Sequence, residues 1–213
     1  MGAVNGTGAE VVLFDIGGVL TNDPWQSIIL TPRTGLADTL GIDKEEAGSA
    51  ARRLWPKYSM SVQRETDYWE EFSHILRVSI KQTLIREKTR SLVRASSKCQ
   101  QIFEMINAAG LTPGVITDNT AFWFPLQAEI TSLMDHVESS LLFLSYNYGA
   151  RKSMSEPNLF DCASQIVDPR KTLIIDDSED KVAIAREKGF LSLRYSCHGS
   201  LETLGHFLNA GDH

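Results

Sequence analysis

The chain has 213 residues, 42% hydrophobic and 23% charged, which suits one globular domain with room for a small insert and argues against wholesale disorder. Its formal charge of −6 disfavours a sequence-independent nucleic-acid binder, which needs a basic face, but allows a locally positive site. No run approaches the ~20 apolar residues of a membrane helix. Cys99, Cys162 and Cys197 lack zinc-site spacing, so the expectation is a cytoplasmic protein with reduced thiols and no membrane partner. Met1 to Gly8 is glycine-rich, with neither the charged start nor the apolar stretch of a signal or transit peptide, and is expected to be frayed.

In chain order, the run from Glu10 to Phe14 leads into Asp15 and reads as a strand buried on both faces. From about Pro24 to Val93 no buried strand is evident. Glu45 to Tyr58, Thr66 to Leu76 and Lys81 to Val93 carry helical patterns instead, with Trp55, Trp69 and Phe72 as core-facing bulk. Ser97 to Gly110 has apolar residues at helical spacing, and Gly110 is placed to end that helix. Three more apolar runs follow: Gly114 to Ile116 leads into Thr117-Asp118-Asn119, Leu141 to Leu144 into Ser145, and Thr172 to Ile175 into Asp176-Asp177. Helices are expected at Glu156 to Val167, with Pro157 in the first turn, and at Ser178 to Gly189, with a Ser cap and a Gly stop. A last strand, Phe190 to Tyr195, and a helix, Ser200 to Asn209, complete the chain.

Strand alternating with helix implies an α/β fold, a doubly wound Rossmann-like parallel sheet. The expected organisation is a core of residues 9–22 plus 94–213, interrupted by a small all-helical insert at 23–93. In such sheets ligands bind beyond the carboxyl ends of the strands. That rule singles out Asp15, Thr117, the loop from Ser145 to Lys152, and Asp176 with Asp177. A lone Asp after a strand is ordinarily a turn residue, and a lone Lys a solvated charge. Several carboxylates converging on one edge repel one another unless a cation is present, and a hard divalent ion such as Mg²⁺ meets that need.

These segments together resemble the haloacid dehalogenase-like hydrolases. Phe14-Asp15-Ile16-Gly17-Gly18-Val19-Leu20 resembles the first motif of that superfamily, Ile116-Thr117-Asp118-Asn119 the second, Gly149-Ala150-Arg151-Lys152 the third, and Ile175-Asp176-Asp177-Ser178 the fourth. The resemblance implies a Mg²⁺-dependent phosphatase acting on a small phosphorylated metabolite, with the helical insert as a cap domain. Asp15 would attack phosphorus and form an aspartyl-phosphate. The metal would sit among the Asp15 carboxylate, the Gly17 carbonyl and Asp177, with Asp176 orienting its shell. Thr117, Asp118 and Asn119 would hold the phosphoryl group, and Lys152 would neutralise charge.

The sequence departs from the family at several points. Most phosphatases of the superfamily carry a second Asp, the general acid and base, where this chain has Gly17. A branch resembling bacterial sugar-1-phosphate phosphatases shares that glycine. The expectation is therefore a substrate with a good leaving group, or another proton donor, for which Asp23 and Asp118 are candidates. The loop after Lys152 is about two residues longer than the related pattern, so Arg151 is a candidate substitute for Lys152. Lys181 stands where Asn is frequent and has no assigned role.

Two other readings stand beside the phosphatase. One is a metal-independent 2-haloacid dehalogenase, against which the paired acids Asp176-Asp177 argue. The other is a catalytically silent binding or regulatory module. Trp25, Trp55, Trp69, Arg52 and Arg53 are expected in core packing or on the solvated surface rather than around a ligand. Phe122-Trp123-Phe124-Pro125 either packs under the insert or forms a homo-oligomer contact.

Overall fold

The structure is a computed structural model and describes residues 8–209; apart from Gly8, the expected frayed N-terminus lies outside them. Five strands form one parallel sheet: β1 (Val11–Phe14), β2 (Thr112–Thr117), β3 (Leu142–Leu144), β4 (Thr172–Asp176) and β5 (Leu191–Arg194). Their order is β3-β2-β1-β4-β5. Phe14 pairs with Val115 on one side and with Ile175 on the other. That register brings Asp15, Thr117 and Asp176 to one edge, the carboxyl ends of the three central strands.

The apolar runs lack alternation because both faces of the sheet are covered. Val12 and Phe14 face a core completed by Ile102, Phe103 and Ile106 of α6 (Cys99–Ala108) and by Leu204 and Leu208 of α11 (Leu201–Asn209). Leu13, Ile116 and Ile174 face the opposite core, with Leu159, Phe160 and Ala163 of α9 (Leu159–Ala163) and Ala185 of α10 (Glu179–Glu187).

Between β1 and α6 the chain is helical, as its patterning implies: α1 (Pro24–Leu30), α2 (Leu36–Leu40), α3 (Lys44–Ser59), α4 (Glu65–Leu76) and α5 (Gln82–Leu92). These helices share a third core built on Ile28, Leu54, Tyr58, Tyr68, Trp69 and Phe72. Trp123, which follows β2, is buried in it, and Phe122 packs against it. Phe122 and Trp123 thus pack under the helical segment, while Phe124 packs against the sheet core and Pro125 is exposed. Where the chain leaves and re-enters the sheet, Asn22 Nδ2 donates to the Leu92 carbonyl (2.7 Å) and Asn22 Oδ1 accepts from Arg94 N–H (2.8 Å).

Two local expectations change. The helix expected at Glu156 to Val167 spans only Leu159–Ala163, starting after Pro157 and ending before Ser164. Proline disfavours helical backbone in the residue before it. Asn158 caps the helix, accepting from the Phe160 and Asp161 amides at 3.0 and 3.1 Å. The short helices α1, α2, α7 (Phe124–Ile130) and α8 (Ser145–Tyr148) have too few turns to show a period in sequence. No described helix is long and apolar enough to cross a membrane.

Candidate active site

Asp15 sits immediately beyond β1 and is buried. Its Oδ1 accepts from the Ile16 amide and from Thr117 Oγ1, each at 2.7 Å. Its Oδ2 faces two ammonium groups, Lys152 Nζ at 2.8 Å and Lys181 Nζ at 3.5 Å. Burial pushes the Asp15 carboxyl up, but the two lysines outweigh it and hold the group well below the usual carboxylate range. Asp15 is therefore an anion with both oxygens oriented.

Lys152 is wholly buried. Its ammonium also pairs with Asp176 Oδ2 and donates to the Ile116 carbonyl at 3.2 Å. The longer loop does not withdraw it, because the Lys152 backbone N–H is pinned to Asp118 Oδ1 at 2.8 Å. Arg151 points into the same cavity and does not take the place of Lys152. Burial lowers the lysine's proton affinity, but Asp15 and Asp176 more than reverse that.

Asp176, at the end of β4, is fully buried, and its Oδ1 accepts from the Ser178 amide at 2.9 Å. Asp177 is half-buried, and burial followed by the charges of Asp15 and Asp176 pushes its carboxyl up. Carboxylate oxygens of Asp15, Asp176 and Asp177 all lie within 4.8 Å of one another. Gly18 makes this approach possible. Its φ is 82°, and a Cβ there would lie 2.3 Å from Asp177 Oδ2.

Asp15, Gly17, Thr117, Asp118, Asn119 and Asp177 line a cavity of about 310 Å³, together with Asp23 and Lys181. The helical segment contributes Trp25, Gln26 and Trp55, and the Lys152 loop contributes Arg151 and Ser153. Asn119 is already engaged. Its Nδ2 donates to Gln127 Oε1 (2.8 Å), its Oδ1 accepts from the Thr120 amide (2.8 Å), and its own amide donates to Ser145 Oγ (2.9 Å). Gln127 in turn donates to Thr21 Oγ1 at 2.6 Å, which ties the loops after β1 and β2 together. Asp23 caps α1, its Oδ1 accepting from the Gln26 amide at 3.3 Å. Burial, with smaller help from Asp15 and Asp177, pushes its carboxyl up to about 7 against the pull of that amide.

Sequence reasoning assigned no site role to Lys181, Trp25 or Trp55, which line the cavity. Lys181 lies in the first turn of α10, where a lysine is ordinarily solvated; its proximity to the Asp176-Asp177 turn was the available signal. Trp25 and Trp55 line the cavity and also pack against the core of the helical segment, while Trp69 is core and Arg52 and Arg53 are exposed, as expected. Trp55 stacks on Trp123, with ring centroids 5.9 Å apart.

The donor set fits a hard divalent cation. Asp15, Asp118 and Asp177 line the cavity with Lys181 and Arg151, and Asp176 pairs with Lys152 behind Asp15. All the candidate metal donors are oxygens, which suits Mg²⁺.

The parallel sheet, the helical segment after its first strand and the acids at its carboxyl edge define a Rossmann-like α/β fold of the haloacid dehalogenase type. A HAD family enzyme from Bacteroides thetaiotaomicron, solved in complex with magnesium and inorganic phosphate, superposes with a TM-score of 0.62 at 14% identity. The match covers 92% of this chain and 98% of that one. The L-2-haloacid dehalogenase from Xanthobacter autotrophicus superposes with a TM-score of 0.60 at 16% identity, covering 95% of this chain and 83% of the other. No family model and no curated protein matches the sequence.

Proposed function

We propose that the protein is a magnesium-dependent phosphatase acting on a small phosphorylated metabolite through an aspartyl-phosphate on Asp15. The observation that carries this reading is the meeting of Asp15, Asp176 and Asp177 within 4.8 Å, beside a lysine that is wholly buried. Asp15 and Asp177 would hold the metal, with the Gly17 carbonyl beside them and Asp176 fixed behind by Lys152 and the Ser178 amide. A bound Mg²⁺ would supply electrostatic stabilisation to the charge on the transferring group.

The chain's own groups do the rest. Thr117 and the Ile16 amide hold Asp15 Oδ1, which leaves Oδ2 as the attacking atom. Lys152 and Lys181 keep that oxygen ionised and offset the charge of an incoming phosphate. Arg151 at the rim adds a third cation. The helical segment acts as a cap, with Trp25 and Trp55 presenting aromatic faces to the substrate's organic part. The Bacteroides enzyme's complex with magnesium and inorganic phosphate supports this reading by analogy of fold.

A panel of phosphorylated metabolites tests it. Phosphate release with Mg²⁺ is expected, with loss on chelation and a fall of about 10,000-fold or more in Asp15→Asn. Equal, negligible turnover in both proteins would leave a silent binding module. The dehalogenase among the structural neighbours favours one other reading, metal-independent dehalogenation by Asp15. It leaves the Asp176-Asp177 pair without a task, and halide release that persists under chelation would establish it.

A further inference from the structure

We infer that Asp23 is the catalytic acid and base of the site, reaching from the N-terminus of α1 into the space that the missing side chain of Gly17 leaves open. The inference rests on the phosphatase reading. Displacement of an alcohol by Asp15 expels an alkoxide, and a proton supplied in the transition state is worth about 100- to 10,000-fold. The other acids in and behind the cavity carry contacts of their own. Asp118 accepts the Lys152 amide, and Asp176 is paired with Lys152 and the Ser178 amide. Asp177 is turned toward Gly18 and the metal site.

Asp23, like Asp118, spends one oxygen on a backbone amide, but its other oxygen stands beside Gly17. Its Oδ1 takes the Gln26 amide, while its Oδ2 has no hydrogen-bond partner among the described residues and lies on the cavity wall. A Cβ built on Gly17 would stand 3.9 Å from that Oδ2, with its other neighbours, Asp23 Cα and Pro24 Cδ, at 3.8 and 4.0 Å. These are ordinary contacts, so sterics do not demand glycine at position 17. A side chain there and the Asp23 carboxyl would enter the same corner, and here Asp23 occupies it.

In the first half-reaction Asp15 Oδ2 bonds to phosphorus, the ester P–O bond breaks, and the Asp23 carboxyl proton passes to the departing alkoxide, releasing an alcohol. In the second, the Asp23 carboxylate takes a proton from water as the water oxygen bonds to phosphorus. The P–O bond to Asp15 then breaks, releasing inorganic phosphate and restoring both groups. The substrate class widens accordingly, to phosphomonoesters of ordinary alcohols with no need of an activated leaving group.

The experiment measures kcat/KM with Mg²⁺ across alkyl, phenyl, 4-nitrophenyl and 2,4-dinitrophenyl phosphates. The unmodified protein should show little dependence on the leaving group. Asp23→Asn, which keeps an oxygen to cap α1, should lose about 100- to 10,000-fold on the alkyl ester and little on the dinitrophenyl ester, which departs without a proton. Adding Gly17→Asp to Asp23→Asn should restore alkyl-ester turnover, an outcome that a purely structural role for Asp23 does not produce. Equal losses along the series, or none, would overturn the assignment while leaving the phosphatase standing. If 2,4-dinitrophenyl phosphate is not hydrolysed, or is hydrolysed equally by Asp15→Asn, the phosphatase reading falls and this assignment with it.

Discussion

Gly17 and Gly18 are neighbours of identical chemistry, yet the site constrains them differently. At position 18 a methyl group meets Asp177 Oδ2 at 2.3 Å, and the φ of 82° strains any L side chain. At position 17 the same methyl group finds nothing nearer than 3.8 Å. Gly18→Ala is therefore expected to displace Asp177 and weaken Mg²⁺ binding by about 10- to 100-fold, the range seen when groups supporting a metal site are moved. Gly17→Ala is expected to shift unfolding free energy by no more than about 0.5 kcal/mol. Calorimetric titration and denaturant melts of both variants check the contrast, and equal effects at the two positions would remove Gly18 as the reason Asp177 can approach Asp15. The wholly buried Lys152 belongs to the same scale. Buried charges persist when they are paired, and this ammonium is shared between Asp15 and Asp176.

Among the elements, the central strands carry Asp15, Thr117 and Asp176 to one edge, and the helical segment contributes Trp25, Gln26 and Trp55 to the cavity wall. The two meet at several points, among them Ser145 Oγ donating to the Ser59 carbonyl (2.6 Å) and Trp123 in the core of the helical segment. Asn22 uses both ends of its amide to staple the strand-exit segment to the end of α5 and to Arg94. Each such bond contributes about 0.5–1.5 kcal/mol net. Asn22→Ala is expected to cost about 1–3 kcal/mol and to raise hydrogen exchange in α5 before the sheet is affected. Unchanged exchange there would mean that the shared core around Tyr68 and Phe72 holds the insert without the staple. Sequence patterning reached this scale unevenly. Strands buried on both faces print continuous apolar runs, so the first four were legible, and with them the post-strand residues Asp15, Thr117 and Asp176; the fifth, half-buried and alternating, was placed by the helix before it. The placement of Trp25 and Trp55 on the cavity wall was not, because it depends on how a seven-residue helix and its neighbours dock on the sheet, and Asp23 was named only as a candidate proton donor. Nothing local in the sequence encodes that docking. The setting of Lys152 was hidden for a similar reason, since the contact that pins its loop is made by Asp118, 34 residues away.

For the molecule as a whole, the account rests on charge. A chain with a formal charge of −6 gathers carboxyl groups around one cavity and places three of them within 4.8 Å. Burial and mutual repulsion hold Asp177 toward its protonated form. Cation binding must expel that proton, so affinity should strengthen as pH rises through the range where Asp177 titrates. Calorimetric titration of Mg²⁺ into the unmodified protein and into Asp177→Asn tests the central claim most directly. One ion per chain is expected, with affinity rising with pH through the range where Asp177 titrates, and that binding should be lost in the variant. Absence of Mg²⁺ binding by the unmodified protein, or equal binding by Asp177→Asn, would contradict the claim that these acids are assembled to hold a cation against Asp15.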